Sequence, residues 1–266
     1  MTSTAGGPWD QSWQEYKKHD PFCEPLLISI LFLSCGKHKL TKVCLDSTRH
    51  AIERYSDQIE WLFMEQGGDE ENYRLFMEFP AERKVVIRQQ NYGINNGLNQ
   101  LWALSRGEFC FIHESDWWMD LPQFDVFGHA KQILVERPSV GLVQCRAAWD
   151  PNENWGLRKP EFNPWSCPDE AEQAGYRVFE EETETGHKFR LCEFPNGFNN
   201  NPILMRKKLY RECGPYPEPV PYSDPRHGET EYAARVWKTG CVIAHIGKEV
   251  YRHVGGADRF RFEALA

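Results

Sequence analysis

Residues 91–116 read NYGINNGLNQLWALSRGEFCFIHESD, and the architecture of the chain turns on them. After an Asn- and Gly-rich opening, Leu98, Leu101 and Trp102 recur at the spacing of one helix face, so 94–106 is predicted to be a helix. GEFCFIHE follows as a run suited to a buried strand, and it ends on Glu114 and Asp116, two acids one residue apart. If the backbone stays extended through Asp116, residues i and i+2 point the same way and both carboxylates face one site. The alternative is that Asp116 caps a helix beginning at Trp117 while Glu114 is simply exposed.

Working upstream, LLISILFL from Leu26 to Leu33 is almost purely apolar, as expected of a strand buried on both faces of a sheet. SCGKH turns the chain, and Leu40, Val43, Cys44, Ser47, Ala51 and Ile52 then fall at helical spacing. IEWLFME from Ile59 is a second strand; QGGDEEN breaks it and offers acids to start a helix. KVVIRQ from Lys84 is a third. Strand alternating with helix through four strands predicts an α/β fold with a mostly parallel sheet flanked by helices.

Downstream, Pro151 to Gly186 changes character and reads as an insertion or long loop whose acidic EEETE forms a solvated face. FNNNPILMRKKLYRECGPY from Phe198 predicts a strand and then a short helix ending at Gly214. GETEYAARVWKTG predicts a helix with Tyr232, Ala233, Val236 and Trp237 on it and Gly240 as its stop, and CVIAHIGKEVYRH closes with strand-like residues. Residues 1–25 read as an N-terminal arm. The expected organisation is a single domain over 26–266, with halves 26–120 and 121–266 and an insertion near 150–190 in the second half.

Composition limits what such a domain does. The chain has 266 residues, 41% hydrophobic and 14% aromatic, enough for a sizeable core. No apolar run approaches the roughly 20 residues of a membrane span, and Met1 to Asp20 is polar without an apolar signal core, so a soluble, cytoplasmic chain is expected. The nine cysteines are scattered, odd in number and never form C-x-x-C, which argues against a zinc knuckle or a complete disulfide framework and fits a reducing compartment. A net charge of -8 without a long basic stretch argues against nucleic acid as a partner and for a small or neutral one.

The 91–116 stretch resembles the part of family 2-like glycosyltransferases that runs N-x-G-x-x-x-x-x-N, helix, A-x-G-[DE], strand, D-x-D. The matching positions are Asn91, Gly93, Asn99, Ala103 with Ser105 nearby, Gly107, Glu108, Glu114 and Asp116. ISILFLSCGKHKLTKVCLDS resembles the family's opening strand and helix, with Cys44, Leu45 and Ser47 in its C-L-x-S positions. GETEYAARVWKTG resembles its E-D-x-E-x-x-x-R-x-x-x-x-G helix through Arg235 and Gly240, and NNPILMRKKLYRECGPY the segment before that helix. The chain departs from the family at Glu114, Glu229 and Glu65, where shorter acids are usual, at Gly36 in place of asparagine, and at Leu98 in place of a frequent arginine.

The resemblance implies a GT-A-type, Rossmann-like fold and a nucleoside-diphosphate sugar donor, of the UDP or dTDP type, bound across the strand ends. In that scheme Ser34 and Cys35 lie beside the nucleobase and Glu65 accepts a hydrogen bond from base or ribose. Asn91, Asn95 and Asn99 reach the ribose or diphosphate, and Glu114 and Ser115 complete the donor cradle. Asp116, with His253 as a further ligand, holds Mn²⁺ or Mg²⁺, and Glu229 is the general base for an inverting transfer of a hexosyl or deoxyhexosyl group to a hydroxyl of a carbohydrate or glycoconjugate acceptor. Trp149, Trp155 and Trp165 are candidates for an acceptor-side wall. Two other outcomes are open: a module of the same fold that binds nucleotide sugars without turnover, and a transferase that retains anomeric configuration.

Overall fold

The computed structural model describes residues 23–119, 121, 123–145, 178–192, 198, 202–218, 228–246 and 250–254. Its strands are β1 Glu24–Ser34, β2 Ile59–Glu65, β3 Lys84–Arg88, β4 Gly107–Glu114, β5 Trp117–Met119, β6 Val140–Gln144, β7 Val178–Glu182, β8 Lys188–Cys192, β9 Ile203–Arg206, β10 Val242–His245 and β11 Tyr251–His253. Its helices are α1 His38–Ile52, α2 Glu70–Glu78, α3 Ile94–Leu104, α4 Val126–Glu136, α5 Lys207–Cys213 and α6 Gly228–Lys238, and a short 3-10 turn, Glu53–Gln58, follows α1. The arm assigned to 1–25 lies outside the described residues through 22, and Glu24 and Pro25 already belong to β1.

Nine strands form one sheet in the order β3-β2-β1-β4-β9-β6-β10-β8-β7. β1, β2, β3 and β4 pair in parallel; β9 runs antiparallel between β4 and β6, and β10 is parallel to β6. The carboxyl ends of β1, β2, β3, β4, β6 and β10 therefore share one edge. This is the mixed, mostly parallel sheet that the sequence predicts. Residues 178–192 correct the loop reading of that region: β7 and β8 form a hairpin that extends the sheet beyond β10. The acids of EEETE that fall on β7, Glu180, Glu181 and Glu182, are consecutive on a sheet-edge strand, where charge deters further pairing.

Alternation explains why β1 is almost purely apolar from Leu27 to Leu33. Ile28, Ile30 and Phe32 enter one core with α1, α2 and α4, whereas Leu31 and Leu33 enter the other with α3, α5 and α6. A strand coated by helices on both sides leaves no position for a solvated residue. Phe32, Phe63 and Phe76 pack at centroid separations of 4.7 to 5.7 Å on the first face, and burying each such ring contributes about 2–3 kcal/mol.

Helix starts follow local chemistry. Asp69 caps α2 by accepting from the amides of Glu71 (3.0 Å) and Asn72 (2.9 Å), with Glu70 and Glu71 in the first turn favouring the positive end of the helix dipole. α3 begins after Gly93 without a side-chain cap, and there the Gln66 amide donates to the Gly93 carbonyl at 3.2 Å. Among the described residues no disulfide forms; Cys44, Cys110, Cys145 and Cys213 are buried as small apolar groups.

Candidate functional site

Two acidic groups stand at the carboxyl edge of the sheet, and they differ in kind. At the ends of β1 and β2, Glu65 is fully buried. Its Oε1 accepts from the amides of Gly67 (2.6 Å), Gly36 (3.1 Å) and, more distantly, Asp69 (3.4 Å), and its Oε2 accepts from Asn72 Nδ2 (2.9 Å). Asn72, also fully buried, donates as well to Ser34 Oγ (3.0 Å) and the Gly36 carbonyl (2.8 Å), and Ser34 Oγ lies 3.3 Å from Thr41 Oγ1. The loops are in contact here: a Cβ on Gly67 would fall 2.4 Å from the Gly36 nitrogen. Ser34 and Glu65, expected to face a nucleotide, take part in a frame that ties the β1 loop to the β2 loop. A buried carboxylate requires donors, and the backbone supplies them.

Cys35 is exposed beside this frame, with Asn91 Nδ2 at 3.4 Å from its sulfur and Asn91 Oδ1 accepting from the Gly93 amide at 2.8 Å. Partial burial, then the Glu65 charge, push the Cys35 thiol up, with Lys37 opposing, so it is a neutral thiol at physiological pH.

The asparagines of α3 are also engaged within the protein. Asn99 Oδ1 accepts from the Tyr216 amide (2.8 Å) and the Tyr210 hydroxyl (3.0 Å), while its Nδ2 donates to the Tyr216 carbonyl (3.0 Å) and to Glu218 Oε1. All of its capacity is spent docking α3 onto the turn after α5. Asn95 donates to the Pro217 carbonyl at 2.9 Å, and its buried Oδ1 has no hydrogen-bond partner among the described residues.

At the end of β4 the arrangement is open. The backbone does not stay extended: Ser115 and Asp116 form a turn, with the Ser115 amide bonded to the Leu33 carbonyl at 3.0 Å, and β5 follows in place of a capped helix. β5 pairs antiparallel with β11, setting Trp117 opposite His253, and the Val254 amide donates to the Asp116 carbonyl at 2.8 Å. This pairing brings His253 Nε2 to 3.5 Å from Asp116 Oδ2, while Lys37 Nζ approaches the same oxygen at 3.9 Å. Asp116 Oδ1 is buried and has no hydrogen-bond partner among the described residues.

Charge separates the two acids of the turn. Burial, then the nearby Asp116 and Glu229 carboxylates, push Glu114 well above the usual carboxylate range, with Lys37 opposing. Burial also acts to raise Asp116, but the His253 ring and then Lys37 outweigh it and hold Asp116 below its ordinary value. Glu229, whose charge contributes to the Glu114 shift, lies in the first turn of α6. The surroundings thus push the two acids in opposite directions, Asp116 toward its charged form and Glu114 toward its neutral one. A carboxylate with one oxygen unclaimed and an imidazole beside the other fits a divalent ion that takes oxygen and nitrogen ligands.

Lys37 and Tyr216 were not singled out by the sequence. Lys37 sits at φ 60°, a left-handed turn position, and only the fold shows that its ammonium reaches Asp116. A second group, His38, Asp69 and Glu71, has ligand atoms within 4.8 Å of one another, but Asp69 is occupied in capping α2. Trp149, Trp155 and Trp165 lie outside the described residues. Trp117 is buried, and Trp118 packs on Leu40, Val43, Cys44 and Val254.

No family model and no curated protein matches the chain. Solved structures do. The mannosyltransferase PcManGT from Pyrobaculum calidifontis, in complex with GDP-Man and Mn²⁺, is similar with a TM-score of 0.58 at 15% identity, over 97% of this chain and 68% of that one. The chain has a GT-A-type fold. S. aureus TarS 1-349 in complex with UDP-GlcNAc is similar with a TM-score of 0.57 at 11% identity, over 87% of this chain and 61% of that one. The longer TarS structure is covered to 38% of its length, so the GT-A-type unit described here corresponds to part of that protein. Among the described residues, no helix is long and apolar enough to cross a membrane.

Proposed function

We propose that the protein is a metal-dependent inverting glycosyltransferase that moves a hexosyl or deoxyhexosyl group from a UDP- or dTDP-type sugar to a hydroxyl of a carbohydrate or glycoconjugate acceptor. The observation that carries this reading is the convergence of His253 and Lys37 on Asp116, next to Glu114 at the end of β4, with one buried Asp116 oxygen left unpaired. The similarity to structures bound to GDP-Man with Mn²⁺ and to UDP-GlcNAc supports it.

In this reading the half 26–120 binds the donor and the half 121–266 the acceptor. Asp116 Oδ1 and His253 Nε2 would hold Mn²⁺ or Mg²⁺, which when bound supplies Lewis acidity at the leaving diphosphate. Lys37 adds positive charge beside the same phosphates, and Cys35, Asn91, Asn95 and Ser115 border the donor. Ser34, Glu65 and Asn99 act one step back, by fixing the loops that those residues sit on. Glu229, in the first turn of α6, takes the proton of the acceptor hydroxyl as its oxygen attacks the anomeric carbon opposite the diphosphate, which inverts configuration. Glu114 contacts the ribose through its carboxyl.

A panel of nucleoside-diphosphate sugars with Mn²⁺ tests the proposal: turnover of at least one donor is expected, with loss of turnover in Glu229→Gln. The engagement of Glu65 and Asn99, which leaves fewer side chains for a donor, favours a second reading, a nucleotide-sugar-binding module without catalysis. Donor-induced thermal stabilisation with no turnover of any donor establishes that module instead. Retained configuration in the product would remove Glu229 from the base role.

A further inference from the structure

His38, Asp69 and Glu71 stand at the starts of α1 and α2, with ligand atoms within 4.8 Å of one another. Two acids at a helix start are ordinary partners of its dipole. The imidazole sets this group apart, because its neighbours fix which nitrogen carries the proton. Asn72 Nδ2 lies 3.0 Å from Ser34 Oγ, 2.8 Å from the Gly36 carbonyl and 2.9 Å from Glu65 Oε2. A carbonyl and a carboxylate only accept, so the amide cannot be turned round, and Asn72 Oδ1 is the acceptor that meets His38 Nδ1 at 3.3 Å. His38 Nδ1 therefore donates. In the neutral ring Nε2 then holds a lone pair, and it faces a second acceptor, Glu71 Oε2, at 3.9 Å. An imidazole pinned through its other nitrogen, with a carboxylate opposite its lone pair, has the posture of a metal-ligating histidine.

The remaining groups leave room for an ion. Asp69 caps α2 through Oδ1 alone, which accepts from both the Glu71 and Asn72 amides, so the cap does not use Oδ2. Two neighbouring cations are directed elsewhere, Arg88 to Glu70 at 2.6 Å and Lys37 toward Asp116 at 3.9 Å. Zinc bonds to imidazole and carboxylate run about 2.0–2.2 Å, so two ligands of one ion stand about 3 to 4.4 Å apart. The His38–Glu71 separation falls in that span, and rotation of Glu71, whose side chain is 69% exposed, closes the wider gap of the triad.

We propose that His38, Asp69 and Glu71 form a zinc-class divalent-cation site that clips the start of α1 to the start of α2. One neutral imidazole and two carboxylates balance the charge of such an ion, and the mixed nitrogen and oxygen set suits zinc over magnesium or calcium, which take oxygen. The clip lies one residue beyond Lys37 and joins the same two loops as the Glu65 frame. It shares no residue with the Asp116 centre and does not depend on the transferase reading.

Zn²⁺ titration of the full chain carrying Asp116→Ala, followed by calorimetry and by melting temperature, tests the site without a contribution from Asp116. About one equivalent is expected to bind, with a rise in melting temperature that EDTA reverses. In that background His38→Gln and Glu71→Gln are each expected to weaken Zn²⁺ binding about tenfold or more. Asp69→Asn is expected to do the same while keeping the α2 cap, since asparagine caps a helix as well as aspartate does. The metal-free melting temperatures of Asp69→Asn and Glu71→Gln should match the parent, which separates lost ligation from lost folding. Co²⁺ in place of Zn²⁺ should give a spectrum without a thiolate charge-transfer band, which excludes the exposed Cys35 as the ligand. Absence of Zn²⁺ binding, undiminished binding in His38→Gln, or a thiolate band each overturns the proposal.

Discussion

Two carboxylate groups occupy the same edge of the same sheet, and they are opposites. Glu65, after β2, is enclosed by backbone amides and the Asn72 amide, with both oxygens satisfied. Asp116, after β4, keeps one buried oxygen unpaired and shares the other between His253 and Lys37. The first carboxylate has its charge neutralised by dipoles fixed at folding, so it stabilises a shape. The second retains charge that folding does not answer, which in a native interior is a marker of function.

Substitutions that exchange the two behaviours break the comparison if it is wrong. The largest effect is expected on activity, from Asp116→Ala. Turnover should fall about a thousandfold and Mn²⁺ binding by calorimetry should vanish, with little change in the urea midpoint. Glu65→Ala should do the reverse, losing about 4 kcal/mol of stability in urea unfolding because its buried donors are left without an acceptor. An Asp116→Ala protein that unfolds as readily as Glu65→Ala would erase the distinction.

A third effect comes from His113, behind both groups. Its Nε2 lies 2.8 Å from Thr48 Oγ1 and its Nδ1 2.7 Å from the Glu114 carbonyl, so Nδ1 carries the proton and donates to that carbonyl. Burial lowers its pKa to about 4, partly offset by the Glu114 carbonyl. The unfolded chain binds this proton at its ordinary pKa near 6.5 and the folded chain only near 4, so stability is full above about pH 6.5 and is lost as pH falls toward 4. The loss attributable to this residue is about 3 kcal/mol between pH 7 and pH 4. His113→Gln should flatten that part of a pH–stability profile, and an unchanged slope would remove His113 from the account. The smallest effect is expected from Ser34→Ala, which takes one acceptor from Asn72 but leaves it Glu65 and Gly36, and should cost about 1 kcal/mol by the same unfolding measurement.

Most of the sheet was legible because its signals are local. The apolar run of β1 and the stop glycine after α6 each read correctly from a few neighbouring residues, as did the helix 94–106 and the strand after it. The β7–β8 hairpin was missed because a run of acids looks the same on an exposed loop and on a sheet-edge strand. At the site, residue type was a better guide than residue role. Nothing in IEWLFME or NNGLNQ distinguishes a carboxylate or amide facing a ligand from one facing the backbone of another loop. That difference is made by Gly36, Gly67 and the Tyr216 turn, which are distant in sequence. The turn at Ser115–Asp116 was hidden for a similar reason: the strand that follows it, in place of the alternative capped helix, is completed by Tyr251–His253, far along the chain.

That last pairing orders events in time. β5 is made early in synthesis and β11, its strand partner among the described residues, late, so a ribosome-bound chain can build the parallel β1–β4 core while the neighbourhood of Asp116 waits for β11. The acidic centre is therefore among the last parts of the molecule to mature, and a chain ending before Tyr251 would carry Asp116 without the imidazole beside it.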